Sequence, residues 1–479
     1  MIRNNNQYSF STTVIVIVVA IGFLLQILLG NVDFDLLRAP VNLFIGGVII
    51  LLLIAFAFFR DTPVYQWFSG IPFSVTLLTA ILIFCLFMGL IPQAPVITDT
   101  GKEIYTMLGL RQITSSWPFV LLYLVLLLSL GALIIRRLLS FKLKDIAFHF
   151  NHIGLWILLF SAGLGAADHK QYSVYVSEGE STSYGSLNNT VYPLPFSIHL
   201  YDFDIEEYPL EAGETQAKPQ SYMSYVELTL ENNEKTQARI EVNNALNIGA
   251  WSIYQYGYDY EAGKASTYSI LQAVYDPWLP FVYTGICLLA AGAVGIMIRR
   301  NNKRWNYKQW ITLFAFIAGM LTVFLLLYPQ IRSSRLMPAL QSHWFIPHVA
   351  SYIISYALLG AATIISFILM WKQKKGVPNE NWYKFMDTLI FIGFGLLILG
   401  MLMGAVWGKE AWGHYWNWDP KETWAFITVL SYLLYIHLRL RQDYRKYLLY
   451  LLVIAFILLL ITWIGVNYLP SAQHSIHVY

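Results

Sequence analysis

Residues 407–424, WGKEAWGHYWNWDPKETW, contain five tryptophans and could bind a flat apolar ligand. Tryptophan and tyrosine are common where membrane helices leave the bilayer, but such a belt does not depend on the order of its rings. Here the rings alternate with glycines and polar residues, which favours an ordered aromatic platform over a dense belt. The platform residues are Trp407, Trp412, Trp416, Trp418 and Trp424.

The end of this tract predicts the start of a helix. Asp419 is a good N-cap residue, and Pro420 suits the first helical position. Glu422 stands three residues after the cap, which is the spacing of a capping box. Asp419 and Lys421 could also steer acidic groups of a ligand, although capping is the preferred role for Asp419.

Four of the ten histidines form two pairs by their depth in the predicted membrane spans. His152 and His437 stand near one face of the membrane, and His348 and His474 stand near the other. Ionisable groups in membrane segments are costly and usually functional, and imidazole is a common axial ligand of haem iron. A single such histidine would more simply be hydrogen-bonded to backbone or lipid headgroups, so the pairing favours ligation.

Two of these histidines have a neighbour that competes for the same role. His149 lies three residues before His152 on the same helix face, and His152 is preferred because it lies further into its span. His477 competes in the same way with His474. No ligand role is assigned to the others near the tract or in the long polar loop, which are His343, His414, His169 and His199.

The composition indicates an α-helical polytopic membrane protein. The 479 residues are 57% hydrophobic and only 12% charged, and a net charge of +3 gives no reason to expect nucleic acid as a partner. A bilayer is crossed by roughly 17 to 25 apolar residues. About 11 transmembrane helices are predicted, at 12–30, 41–59, 73–92, 117–135, 148–167, 278–298, 309–328, 347–371, 388–406, 421–438 and 447–466.

The distribution of Lys and Arg predicts the orientation of these spans. Most of the 31 basic residues fall in alternate connections, which indicates a cytoplasmic N-terminus, with the C-terminus and the tract outside. The polar loop at about 168–277 then forms one small extracytoplasmic β-rich domain. Its alternating segments predict strands at 172–176, 196–203, 224–230, 237–242 and 250–256, with a hairpin turn at 231–234.

The tract resembles the tryptophan-rich WWD signature of the haem-handling family of cytochrome c biogenesis proteins. Residues 301–479, which contain it, resemble the ResC/CcsA type. Residues 71–300 resemble the ResB/CcsB type through the fifth span, the strand-rich loop and YDPWLPFVYTGICLLAAGAVG at 275–295. The chain is therefore similar to a fusion of both halves of System II. Residues 1–70, two N-terminal helices, match no feature of that pattern, and the polar loop is shorter than usual for the family.

The resemblance implies a cargo of haem b (iron protoporphyrin IX). It assigns His348 and His474 as outer axial ligands and His437, with His152 at the same depth, as inner ones. The implied function is transport of haem across the bacterial cytoplasmic (inner) membrane and its attachment to the CxxCH motifs of apocytochromes c, the reaction of a holocytochrome c synthase. Neither of the two cysteines lies in a CxxC motif, so separate thiol-reducing proteins are implied as partners.

Two other functions fit parts of the pattern. A haem exporter or chaperone would present haem and leave attachment to another protein. A di-haem quinone oxidoreductase would use similar paired histidines in the membrane, but it would not need the tryptophan-rich tract.

Overall fold

The computed structural model describes residues 4–93, 104–210, 217–300, 335–375, 380–440 and 445–472, together with isolated positions between 311 and 326. Within these residues the chain forms a bundle of α-helices and one antiparallel sheet. The helices are α1 (Asn4–Leu29), α2 (Val41–Ala57), α3 (Pro63–Phe68), α4 (Ile71–Leu90), α5 (Ile104–Met107), α6 (Trp117–Leu138), α7 (Ile146–Gly165), α8 (Leu279–Arg300), α9 (Phe345–Lys374), α10 (Glu380–Trp412), α11 (Pro420–Leu438) and α12 (Arg445–Trp463).

Ten of the predicted spans coincide with an α-helix, and the span predicted at 309–328 lies almost wholly outside the described residues. Among the described residues, seven helices are long and apolar enough to cross a membrane, namely α1, α4, α6, α7, α8, α9 and α10. Helix α2 and the apolar part of α12 are shorter, and α11 has 19 residues. The prediction of a polytopic helical membrane protein with a separate β-rich domain is confirmed.

Helices α7 and α8 pack with their backbones in close contact. A Cβ atom added to Gly154 of α7 would lie 2.7 Å from the backbone nitrogen of Leu289, and one added to Gly285 of α8 would lie 2.8 Å from that of Leu158. Small residues allow the two backbones to come this close. Close van der Waals packing of this kind is a main source of the free energy of association between membrane helices. Helix α8 also packs against α10. It therefore links α7, which precedes it in the chain, to a helix that follows it.

Helix α11 lies between two apolar cores. One core is formed by α9, α10, α11 and α12 and includes the fully buried Leu359, Ile390 and Leu452. The other is formed mainly by α1, α4, α6 and α11 and includes Leu77 and Leu122. Residues on opposite faces of α11 therefore depend on helices from distant parts of the chain.

The polar loop forms an eight-stranded antiparallel sheet rather than the five strands that the sequence predicted. Its strands are β1 (Lys170–Ser177), β2 (Ser181–Leu187), β3 (Thr190–Glu207), β4 (Pro219–Leu230), β5 (Lys235–Glu241), β6 (Leu246–Ile248), β7 (Trp251–Tyr258) and β8 (Tyr268–Tyr275). They are ordered β5-β4-β3-β2-β1-β8-β7-β6. The sheet curls so that β5 also contacts β6 and β7. The predicted hairpin turn joins β4 to β5, with Asn233 in the left-handed region at φ 63°.

A single carboxylate ties the sheet to the start of the bundle. Asp168, between α7 and β1, accepts hydrogen bonds from the backbone nitrogen of Ala39 at 2.9 Å and from the Asn42 amide at 2.7 Å. It also accepts one from the indole nitrogen of Trp278 at 2.8 Å. The end of α7 and the segments that precede α2 and α8 therefore meet at one point beside the sheet.

Candidate functional site

His348, in the first turns of α9, is oriented by the backbone of α10. Its Nδ1 donates to the carbonyl oxygen of Gly400 at 2.8 Å. A carbonyl can only accept, so the ring proton lies on Nδ1 and Nε2 carries the lone pair. An imidazole held in this way is typical of metal ligands, whose second nitrogen is fixed by a carbonyl or carboxylate.

Two glycines of α10 leave space for rings of α9: Gly404 for the imidazole of His348 and Gly400 for the ring of Tyr352. A Cβ atom at Gly404 would lie 2.7 Å from the imidazole Cε1. Tyr352, one turn further along α9, contacts the same ring edge to face at 4.8 Å. Gly400 and Gly404 stand four residues apart in GMLMG. Sequence analysis missed them, although this small-residue spacing is a signal for close helix contacts.

Trp407 and Trp412 form one ring cluster with His348 at the end of α10. The ring centroids of Trp407 and His348 are 5.7 Å apart, and those of Trp407 and Trp412 are also 5.7 Å apart. The indole nitrogen of Trp407 donates to the carbonyl of Ala339 at 3.0 Å, which fixes its orientation. The structure therefore brings two of the predicted platform residues together with one predicted ligand.

Trp416 and Trp418 form a second cluster between α10 and α11. Their rings meet edge to face at 5.7 Å, and both also contact Phe426 of α11. Trp418 has a positive φ of 55°. A bulky residue is strained in this region, and such strain is most often found at functional sites.

The capping box at the start of α11 is present. The side chain of Asp419 accepts from the backbone nitrogen of Lys421 at 3.0 Å, and Glu422 accepts from the backbone nitrogen of Asp419 at 3.2 Å. The preferred role of Asp419 as a cap is thus confirmed, and its side chain is buried.

Tyr415, within the tract, is protonated. Burial raises the pKa of its hydroxyl, and the negative charge of Asp276 raises it further.

Trp424 lies apart from the surface of the tract, inside the core between α11 and α4. It is only 2% exposed, and its indole nitrogen donates to the carbonyl of Gly89 at 3.1 Å. Its ring faces are therefore covered by protein. Trp424 is therefore a core residue and, contrary to its predicted role in the platform, offers no face to a ligand.

The structure brings His152 and His437 together at the opposite end of the bundle. The two imidazoles are close enough for an electrostatic interaction. Each donates from Nδ1 to the carbonyl four residues earlier in its own helix, at 2.8 Å for His152 and at 2.9 Å for His437. Both therefore carry the lone pair on Nε2, as His348 does.

His149, the competitor of His152, has a different environment. It is 4% exposed and packs against the rings of Phe141 and Phe148. Its Nδ1 has no hydrogen-bond partner among the residues that the structure describes. Both rings contact Phe148, but only His152 has its Nδ1 fixed by a backbone carbonyl, and this difference favours His152 as the inner ligand.

A carboxylate near His437 was not singled out from the sequence. Asp387 of α10 accepts a hydrogen bond from the hydroxyl of Tyr435 at 2.9 Å and forms an ion pair with Arg439. Tyr435 and Arg439 lie two residues either side of His437 on α11. This group fixes the end of α11 and hence the position of His437.

His474 and its competitor His477 lie outside the described residues. The chain that leads to them is described as far as Ala472. Ser471 donates to the carbonyl of Gly89 at 2.7 Å, the same atom that accepts from Trp424. The described end of the chain therefore lies beside the start of α11.

Comparison with known proteins places both halves of the chain. Residues 281–474 match the family described as cytochrome C assembly protein, and residues 142–269 match the ResB-like family. The cytochrome c biogenesis protein CcsA of Amborella trichopoda is 32% identical over 249 residues, which cover 42% of this chain and 79% of that relative. The chain belongs to the CcsA family of cytochrome c biogenesis proteins. It combines this region with a ResB-like one, consistent with a fusion of the two types.

Other CcsA relatives align over less of their length. The protein of Chlamydomonas reinhardtii is 40% identical over 153 residues, which cover 30% of this chain and 43% of the relative. That of Agrostis stolonifera is 37% identical over 188 residues and is covered over 59% of its length. The chain thus spans about half the length of these two relatives.

Proposed function

We propose that this CcsA-family chain moves haem b from the cytoplasmic face of the membrane to the outer face and presents it there for covalent attachment to apocytochromes c. Haem is the substrate of this process. His152 and His437 would hold the iron at the inner site. His348 and His474 would hold it at the outer site, beside the tryptophan-rich tract.

The observation that carries this proposal is the setting of His348. Its tautomer leaves the lone pair on Nε2, the ring of Trp407 lies beside the imidazole, and Trp412 packs against Trp407. A porphyrin is flat and apolar over its faces, so the half-buried ring of Trp412 could provide the contacts it requires, while Trp407 is buried and packs against His348. Trp416 and Trp418 would extend this surface toward α11.

The inner site has the same chemical design. His152 and His437 come from helices far apart in sequence, and both present Nε2 because a backbone carbonyl occupies Nδ1. Neutral imidazoles are suitable axial ligands. Haem taken up there would leave for the outer site because the later attachment step is irreversible.

The attachment step itself needs little chemistry from the protein. Each substrate thiol adds across one vinyl group of haem: a sulfur–carbon bond forms, the carbon–carbon double bond becomes single, and the thiol hydrogen ends on the other vinyl carbon. No net oxidation or reduction occurs. The histidine of the CxxCH motif displaces one ligand of the iron. The chain contributes ligation and orientation.

The proposal also assigns a topology. Residues 1–70 supply two N-terminal helices, residues 71–300 the ResB-like half and residues 301–479 the CcsA-like half. The N-terminus would be cytoplasmic, and the sheet and the tract at 407–424 would face outward in a bacterial inner membrane. The sheet and the tract lie at the same end of the bundle, which supports this assignment.

Co-expression with a CxxCH reporter, in a host without its own attachment pathway, tests the function. We expect covalent haem on the reporter with the parent chain. His348→Gly should abolish it, with partial recovery on added imidazole, while the matched variant His199→Gly in the sheet should behave as the parent. If the parent chain binds haem but the reporter carries no covalent haem, an exporter or chaperone would be favoured. Rapid turnover of a quinol analogue would favour the oxidoreductase.

A further inference from the structure

A buried ion pair crosses from the tryptophan-rich tract to the sheet. Lys409, in the last turn of α10, places its Nζ 3.2 Å from the Oδ2 atom of Asp276, which directly follows β8. The side chains are 2% and 6% exposed. The same ammonium group donates to the carbonyl of Gly413 at 3.0 Å. Lys409 is therefore enclosed by acceptors from both sides of this contact.

The turn that follows Lys409 is fitted against the sheet. Gly413 has a φ of 81°, and a Cβ atom there would lie 2.9 Å from Cγ2 of Val274 in β8 and 3.2 Å from the ring of Tyr254 in β7. Gln171 of β1 donates to the carbonyl of Trp412 at 3.4 Å. Three strands thus contact the point at which the tract leaves α10.

The burial of Lys409 excludes one obvious role for it. A lysine in a haem-binding tract could neutralise a propionate, but this ammonium group is covered and already faces Asp276 and the Gly413 carbonyl. His169, which precedes β1, lies within electrostatic range of both charges. The group is an internal contact, and its influence on a ligand must pass through the backbone of the tract.

We propose that Lys409 and Asp276 are positioning residues that hold Trp412 and the following turn in register with the sheet, so that the ResB-like half sets the geometry of the outer haem site. A buried ion pair adds little net stability, but removal of one partner leaves an uncompensated buried charge. The main effect of such a pair is to fix the position of one structural element relative to another. This inference rests on the function proposed above.

The test uses full-length variants and the CxxCH reporter. Lys409→Met and Asp276→Leu each leave one buried charge and should lower covalent haem on the reporter by about tenfold or more. The double variant removes both charges and should regain the parent's Tm, but without the pair it should still attach less haem than the parent, whereas the conservative Lys409→Arg keeps the pair and should recover most of the loss. Lys235→Met is the matched control, because Lys235 forms an exposed ion pair with Glu227 in the same sheet.

A second readout separates positioning from loss of the fold. The absorption spectrum of purified Lys409→Met should show a change in the bands of haem bound at the outer site. The amount of haem held by His152 and His437, measured in a His348→Ala background, should stay at the parent level. Asp276→Asn, which keeps the side-chain shape, should behave as Asp276→Leu if charge is decisive. Equal loss of inner and outer haem would show a general structural role and overturn the inference.

Two further outcomes are also decisive. Single variants that attach haem as well as the parent, or a double variant that does so, would overturn the positioning role and leave the proposed function intact. A parent chain that attaches no haem would instead overturn the proposed function.

Discussion

The indole nitrogen of Trp424 donates to the carbonyl of Gly89, although the two residues are 335 positions apart in the chain. The bond joins the first turns of α11, which follow the tract, to the end of α4. The hydroxyl of Ser471 donates to the same carbonyl. A helix that precedes both family matches therefore supports the part of the molecule that carries the proposed outer site.

Gly89→Ala should destabilise this contact. The added Cβ atom would lie 2.9 Å from the indole nitrogen of Trp424 and 3.1 Å from Cδ1 of Ile427, and neither the ring nor the packed helix can move aside freely. Overpacking of this kind costs about 1–3 kcal/mol. We expect a lower Tm in detergent. Gly47→Ala, where the new Cβ atom meets nothing within 4 Å, should keep the parent value, and equal Tm values for both variants would contradict the packing argument.

Gly404→Ala should disturb the outer site without replacing a proposed ligand. Its Cβ atom would lie 2.7 Å from the imidazole of His348 and force the ring away from the carbonyl of Gly400. Loss of such a supporting contact typically lowers metal affinity or activity by about 10- to 100-fold. Reporter haem staining measures the effect. Gly465→Ala, whose nearest neighbours lie at 3.5 Å, is the control, and an unchanged Gly404→Ala would show that His348 tolerates displacement.

The helices of the fold could be predicted from the sequence, but part of the sheet could not. Apolar length alone identifies membrane helices because the bilayer imposes it. Strand β8 was missed since it lies between β1 and β7 and is buried on both faces, so the alternation typical of a half-buried strand is lost. Strand β6 has three residues and β2 has few apolar ones, so neither gives a periodic signal.

The site was predicted through residue types, whereas its contacts depend on tertiary structure. The capping box of Asp419 is local and could be predicted in full. The role of Trp424 depends on Gly89, and that of Lys409 on Asp276, so neither could be derived from the order of residues in the tract. The histidines could be paired from their predicted depth in the membrane. The carbonyl that orients His348 could not be predicted, because it lies on another helix.

The inner ligand can be assigned by comparing two alanine variants. In a His348→Ala background, which removes an outer ligand, His152→Ala should lose the haem that remains, because its Nε2 lone pair is available to iron. His149→Ala should keep that haem, since no backbone carbonyl among the described residues fixes the Nδ1 of His149 and so orients its ring for ligation. A pyridine haemochrome assay on purified protein measures both. The reverse result would transfer the ligand role to His149.

Backbone strain at Trp418 predicts an unusual order of stabilities. Trp418→Gly and Trp418→Ala both remove the ring, but glycine accepts the φ of 55° without strain. The glycine variant should therefore be the more stable of the two by about 1–2 kcal/mol, measured by thermal unfolding. At Trp416 the order should reverse, because there glycine only loosens the backbone. The same order at both positions would show that the strain is relaxed by other means.

The contact between the sheet and the tract should make stability depend on pH. Burial lowers the pKa of His169 and the charge of Lys409 lowers it further, while Asp276 and the backbone of Gly413 oppose the shift. The unfolded chain then binds more protons below about pH 6.5, so this contribution to stability is complete above that pH and is lost as the pH falls. Between about pH 6.5 and pH 5, the free energy of unfolding of the parent should fall by up to about 1.4 kcal/mol per pH unit more than that of His169→Gln. Identical slopes for the parent and His169→Gln would show that His169 does not titrate with unfolding.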